Sequence, residues 1–138
     1  MGVSRIKVKV VATQVSNSVD IEDIDGFADL KDFNNYKRLV YQEGCGAFTT
    51  LDFGSNWVQM KRDNEWITQA QFSKEDGSHA RIISSEGEIR FEVEVLELEV
   101  QDNSIYIKYE LGQNGELIDT HTFNCVWSKE DEAWLEIH

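Results

Sequence analysis

Apolar and polar residues alternate along most of the chain, with the period of two that is typical of a β-strand buried on one face. The first such segment has apolar residues at every second position, namely Ile6, Val8, Val10 and Ala12. Similar segments follow about every ten residues, separated by turn-forming clusters such as GSN at 54–56 and GQNG at 112–115. No helical spacing persists for long. The pattern therefore predicts an all-β, mainly antiparallel fold.

The alternation changes phase inside one long segment, GEIRFEVEVLELEVQDN at residues 87–103. Apolar residues occupy odd positions up to Val95 and even positions from Leu96 onward. A flat strand of residues 88–101 would span roughly 45 Å, which is too long for a small domain. A β-bulge near Val95 and Leu96 would return the apolar side chains to one face and bend the strand. We therefore predict a bulge here, and we favour a closed barrel over a sandwich with this strand at its corner.

Length and charge restrict the classes of partner. The 138 residues suit one domain that covers residues 1–138. The chain has 26 Asp and Glu against 13 Lys and Arg, a formal net charge of −13. Because a field of this sign repels phosphates and anionic lipid surfaces, we expect neither nucleic acid nor a membrane as a partner. The start of the chain lacks an apolar signal region, so we expect a cytoplasmic protein.

The order of the segments resembles the YwiB-like family of small bacterial proteins of unknown function. The matching segments, within roughly residues 5–127, are YQE at 41–43, VQMKR at 58–62, IYIKYEL at 105–111 and THTFNCVW at 120–127. The resemblance implies a lipocalin-like (calycin-type) β-barrel and no settled activity. This chain has Asn64 where the family tends to have a glycine, and both residue types tolerate positive φ.

The cysteines and histidines form no recognisable catalytic or metal-binding motif. His79, His121 and His138 share no metal-ligand spacing, so we expect no metal and no cofactor. Cys125 is in phase with neighbouring apolar residues, which predicts a small buried side chain. Cys45 lies between two glycines and has no cationic neighbour that would lower its pKa, so a catalytic role is not expected.

His121 lies two residues from Asp119, so both side chains face the interior if the strand is regular. A buried His–Asp pair is a candidate for proton transfer at the mouth of the barrel. A histidine that is simply hydrogen-bonded there is the favoured explanation.

Glu43 and Arg62 are in phase with apolar residues of their strands, so both charges are expected to face inward where the barrel closes. Two explanations remain open. The favoured one is an ion pair, or a polar network shared with Tyr41, that closes this end of the barrel, because buried charges are normally paired within the protein. In the other, the planar guanidinium of Arg62 holds the carboxylate of a ligand.

Aromatic residues are expected to line the barrel interior. Phe72 shares a phase with Trp66 and Ala70, and Tyr109 shares one with its apolar neighbours. Such side chains either fill a small barrel or surround one ligand, and the sequence leaves both alternatives open. The candidate ligand-binding residues are Tyr41, Glu43, Arg62, Phe72, Tyr109, His121 and Phe123.

Three functional hypotheses follow, none of which fixes an oligomeric state. The leading one is a non-enzymatic module that binds a small, mainly apolar or carboxylate-bearing ligand inside the barrel. The second is a packed barrel that binds a protein partner through its acidic surface. The third is an enzyme with a polar site at the barrel mouth, and it ranks last because no catalytic motif supports it.

Overall fold

The computed structural model describes residues 4–16, 19–42, 46–75 and 77–129. Ten strands follow one another along the chain: β1 (Ser4–Ser16), β2 (Val19–Asp32), β3 (Lys37–Gln42), β4 (Phe48–Phe53), β5 (Trp57–Asp63), β6 (Ile67–Ser73), β7 (His79–Ser84), β8 (Gly87–Gln101), β9 (Ser104–Gln113) and β10 (Glu116–Lys129). Each strand pairs with its sequence neighbours in antiparallel fashion, and β1 also pairs with β10. The sheet is therefore a closed barrel, which confirms the predicted architecture over the sandwich.

The predicted bulge in β8 is present. The register between β8 and β9 shifts between Val95 and Glu97, so Leu96 is the extra residue. Its side chain is 45% exposed, whereas Leu98 is only 4% exposed. The five glutamates of this strand all lie on exposed positions, namely Glu88, Glu92, Glu94, Glu97 and Glu99. The phase change in the sequence is therefore the signature of the bulge, which keeps one face of a long, bent strand toward the core.

The core fills the barrel with alternating side chains from the strands around it. Its fully buried members include Val8 and Val10 of β1, Leu39 of β3, and Ile105 and Ile107 of β9. Cys125 of β10 is also fully buried, as predicted, and burial raises the pKa of its thiol to about 12. Every second residue of these strands meets the same interior, because successive side chains of a strand point to opposite faces of a sheet.

One aromatic residue departs from the predicted interior. Trp66 lies in the turn before β6 and is 60% exposed, so it does not continue the inward row of Ala70 and Phe72. The turn is closed by a hydrogen bond from the backbone N–H of Asn64 to the carbonyl of Trp66, 3.1 Å long. The alternating pattern therefore placed the start of this strand one residue too early, since β6 begins at Ile67.

Some sequence predictions lie outside the described residues. They are the inward orientation of Glu43 with its expected approach to Arg62, and the expectations for Cys45 and His138. In the part of the chain that the structure does describe, no helix has the length and apolar character needed to cross a membrane.

The bulge predicts different costs for two leucines that stand two positions apart. Leu98→Ala should lower the free energy of unfolding by about 2–5 kcal/mol, because it leaves a cavity in the core. Leu96→Ala, the matched control, should change it by no more than ~0.5 kcal/mol, because the bulged side chain lies at the surface. Chemical denaturation of both variants checks this, and equal losses would contradict the assignment of Leu96 as the extra residue.

Candidate functional site

The inward side chains of the barrel become less buried toward one end of its axis. On several strands an inward side chain is fully buried, while the next inward side chain toward one end is only half-buried. Examples are Ala12 followed by Gln14 in β1, and Met60 followed by Arg62 in β5. We call this end, where β1 and β5 end and β10 begins, the polar mouth. The interior is therefore packed through its middle and accessible at the polar mouth.

The aromatic residues predicted to line the interior lie just below this level. The rings of Phe72 and Tyr109 are 4.5 Å apart between centroids, in a tilted arrangement. Phe123 of β10 is also buried and lies directly opposite Ile107 of β9. Because these side chains pack within the core rather than around an open space, they form a floor beneath the polar mouth.

One arc of polar side chains crosses four neighbouring strands at the polar mouth. Tyr41 of β3, Thr49 of β4, Arg62 of β5 and Thr68 of β6 lie directly opposite one another in register. The next inward row toward the packed half is apolar and consists of Leu39, Leu51, Met60 and Ala70. Tyr41 and Thr49 are buried, and Arg62 is half-buried. Each of these three residues has an interaction partner within the protein. Arg62 thus faces inward, as the sequence predicted.

A second polar arc, on β9, β10 and β1, is a hydrogen-bonded network centred on His121. The Nδ1 atom of His121 is 2.9 Å from Gln14 Nε2, and this amide also donates a 3.1 Å hydrogen bond to the hydroxyl of Tyr109. The Nε2 atom of His121 is 2.9 Å from Asp119 Oδ2, and the hydroxyl of Ser16 donates to the same carboxylate oxygen. The His121 side chain is 13% exposed and that of Asp119 is 21% exposed.

A bulge in β10 contributes to this geometry. The register between β10 and β9 shifts between Leu117 and Asp119, which places Asp119 opposite Leu111 and His121 opposite Tyr109. Asp119 and His121 therefore share the inward face, while Ile118 is exposed. The predicted inward orientation of both residues is confirmed.

The two ring nitrogens of His121 have different hydrogen-bond partners, Gln14 and Asp119. If the amide of Gln14 donates to Nδ1, this nitrogen is the acceptor and Nε2 carries the proton toward Asp119. The pKa of the Asp119 carboxyl is held below its ordinary value, chiefly by the hydrogen bond from Ser16, against the opposing effect of partial burial. The backbone N–H of Thr120 and the nearby His121 lower the pKa further.

These contacts suit hydrogen bonding and charge recognition better than nucleophilic attack. Ser16 donates to Asp119 rather than to His121, so the direct serine–histidine contact of a nucleophilic dyad is not formed here. Burial raises the pKa of the Tyr109 hydroxyl, which therefore stays protonated. Among the described residues no three His, Cys, Asp or Glu side chains come together as a metal site.

Gln14 and Ser16 are part of the His121 network, but no motif in the sequence predicted a role for either residue. Gln14 is 107 positions from His121, and only the pairing of β1 with β10 brings them together. The available signal was their phase, because both continue the inward series that ends with Ala12. Among the candidate residues, the structure joins Tyr109 and His121 directly and places Tyr41 and Arg62 in the other arc.

A cavity of about 600 Å³ lies at the opposite end of the barrel, where β1 and β3 begin and β10 ends. None of the candidate ligand-binding residues predicted from sequence lines it. The polar mouth and this cavity are therefore separate features.

Comparison with known proteins identifies a family and a fold. A family model described as Domain of unknown function (DUF1934) matches residues 6–124. A solved structure, titled "Crystal structure of ywiB protein from Bacillus subtilis", is similar to this chain with a TM-score of 0.62 and 15% sequence identity. The likeness covers 92% of this chain and 94% of that one, and at this identity it shows the fold alone. No curated protein matches the chain by sequence.

The lowered pKa of Asp119 predicts a pH-dependent contribution to stability. Because the folded-state pKa lies below the unfolded value of about 3.9, the ionised carboxylate stabilises the fold at neutral pH, and this contribution is lost as the pH falls through the folded-state pKa. Asp119→Asn should therefore lower the free energy of unfolding at pH 7, and the difference from wild type should narrow below pH ~4. Denaturation curves across this pH range check the prediction, with Glu99→Gln on the exposed face of β8 as the control. A deficit of the same size at pH 3 and pH 7 would contradict it.

Proposed function

The chain belongs to the family described as Domain of unknown function (DUF1934), and we propose that its barrel binds a small, mainly apolar ligand with a carboxylate group at the polar mouth. The observation that carries the proposal is that inward side chains pass from buried to half-buried at this end of the barrel on several strands, although Tyr41 of β3 and Thr49 of β4 stay buried. The half-buried side chains include the polar groups of Gln14, Arg62 and His121, which remain within reach of water and therefore of a ligand. Ligand sites combine an apolar lining with a few placed polar groups.

The apolar lining is supplied by β8 and β9, between the two polar arcs. Phe91 and Val93 of β8 and Leu111 of β9 face inward, pack against the core and remain partly exposed. Val93 lies directly opposite Leu111, and Phe91 lies opposite the buried Ala80 of β7. The body of an apolar ligand would extend the core upward along these side chains and remove them from water.

The polar group of the ligand would lie between Arg62 and the His121 network. The guanidinium of Arg62 offers several donors in one plane, which matches the geometry of a carboxylate. The network already fixes the side chains of Gln14 and Tyr109, so little rotamer freedom remains to be lost when a ligand binds. Asp119 is held by Ser16 and His121, and its charge is therefore partly compensated within the protein.

A second candidate function is the binding of a basic protein partner to the outer face of β8. Glu94 lies directly opposite Glu110 of β9, and like charges in this position destabilise a sheet. A cationic partner would relieve this repulsion. The polar mouth plays no part in such a role, so variants of Arg62 distinguish the two candidates.

Calorimetric titration with octanoate and octan-1-ol tests the ligand proposal. Octanoate should bind to wild type, and Arg62→Gln should weaken its binding at least about tenfold, or about 1.4 kcal/mol, while octan-1-ol should be affected far less. Lys61→Gln is the matched control, because Lys61 is the exposed neighbour of Arg62 on β5 and should leave octanoate binding unchanged. Thermal unfolding of each variant shows whether it is folded. Equal losses in the two variants, or no binding of octanoate to folded wild type, would refute the proposal.

Native mass spectrometry provides an independent measurement on protein purified gently from its own host. Wild type should retain a small carboxylic acid as a discrete mass increase, and Arg62→Gln should retain less of it, because the cationic contact is lost. If the protein carries the apo mass alone and binds no member of a lipid and metabolite panel, the proposal is wrong.

A further inference from the structure

The cavity of about 600 Å³ at the end opposite the polar mouth has an apolar floor and a charged rim, and we call it the Trp127 cavity. Its volume lies in the range that small-molecule sites occupy. We propose that the Trp127 cavity is a second binding site and that it takes a small zwitterion with an apolar body, such as a free aromatic amino acid. The following observations on its floor and its rim carry this proposal.

The floor is rigid and apolar. Trp127 is only 3% exposed, and its ring lies 5.3 Å from the ring of Phe53 between centroids. Its backbone N–H donates a 3.0 Å hydrogen bond to the carbonyl of Asn103, which ties the end of β10 to the turn between β8 and β9. Ile6, which is 38% exposed, and the half-buried Leu30 provide the accessible apolar surface beside it. An apolar or aromatic group of a ligand would pack on this surface without displacing it.

The rim carries two ammonium groups and two carboxylates. Lys37 begins β3 and lies directly opposite Asp32 at the end of β2, while Lys129 ends β10 and Asp102 lies in the turn after β8. In the described ranges of the chain, none of these four side chains takes part in an ion pair with another. Asp32 accepts a 2.9 Å hydrogen bond from the backbone N–H of Asn34. The rim therefore offers both signs of charge to a ligand.

This balance of charge selects a zwitterion. A simple anion would be attracted by the lysines but repelled by the aspartates and by the net charge of −13. A simple cation would be attracted by the aspartates and by the net charge, but it would be repelled locally by Lys37 and Lys129. A molecule with one ammonium and one carboxylate near each other, and with an apolar group attached, satisfies the rim and the floor together.

Calorimetry with four probes tests the chemical class. The titrations use the Arg62→Gln variant, so that 3-phenylpropionate does not bind through the carboxylate contact proposed at the polar mouth. L-phenylalanine should bind, whereas 3-phenylpropionate, which lacks the ammonium, and 2-phenylethylamine, which lacks the carboxylate, should each bind at least about tenfold more weakly. Glycine, which lacks the apolar body, should show no measurable heat. Equal affinity for L-phenylalanine and either singly charged analogue, or no binding of L-phenylalanine to folded protein, would overturn the proposal.

Two pairs of variants locate the site. Lys37→Gln and Asp102→Asn should each weaken L-phenylalanine binding several-fold, while Lys74→Gln and Asp63→Asn, exposed residues that do not line the cavity, should leave it unchanged. In NMR spectra, the indole N–H resonance of Trp127 should shift on titration. A shift confined to the other tryptophans, or equal losses in test and control variants, would refute the location. The octanoate titration at the polar mouth uses different residues, so either proposal can fail without the other.

Discussion

The pairing of β1 with both β2 and β10 is the interaction on which the rest of the structure depends, because it closes the sheet. A closed sheet has no free lateral edge, and every strand must present one face to a shared interior. This constraint explains the alternation along the strands. It also explains why the longest strand needs a bulge, since a flat strand of that length could not follow the curvature.

Closure also determines where polar residues can lie. An inward side chain in the middle of the barrel is surrounded by other side chains, and a polar group there must find all its partners among them. At the polar mouth, Gln14 and His121 are half-buried and remain within reach of water. Thr49 is buried at the same level and has a polar interaction of its own. The polar mouth is therefore the position at which a barrel of this size tolerates inward polar residues.

The period of two and its phase change were enough to predict the strands, the barrel and the bulge at Leu96, because each reflects a local relation between neighbouring residues. Phase also predicted the inward orientation of Arg62 and His121. It did not predict the network, because hydrogen bonds from Gln14 and Ser16 to residues of β10 depend on pairing between the two ends of the chain. The Trp127 cavity could not be predicted from the sequence either, because its floor and rim combine residues from several strands and turns.

The seam between β1 and β10 has a consequence for folding kinetics. Its register joins Val8 to Lys129, whereas most other strand pairs are connected by short turns. Loop-closure entropy makes such a long-range pairing slow, so we expect the hairpins to form early and the seam to form late in folding. Gln14 and His121 lie on opposite sides of this seam. The contact between Gln14 and His121 is consequently absent from any intermediate that precedes closure, and it forms together with the final step that removes the two exposed strand edges.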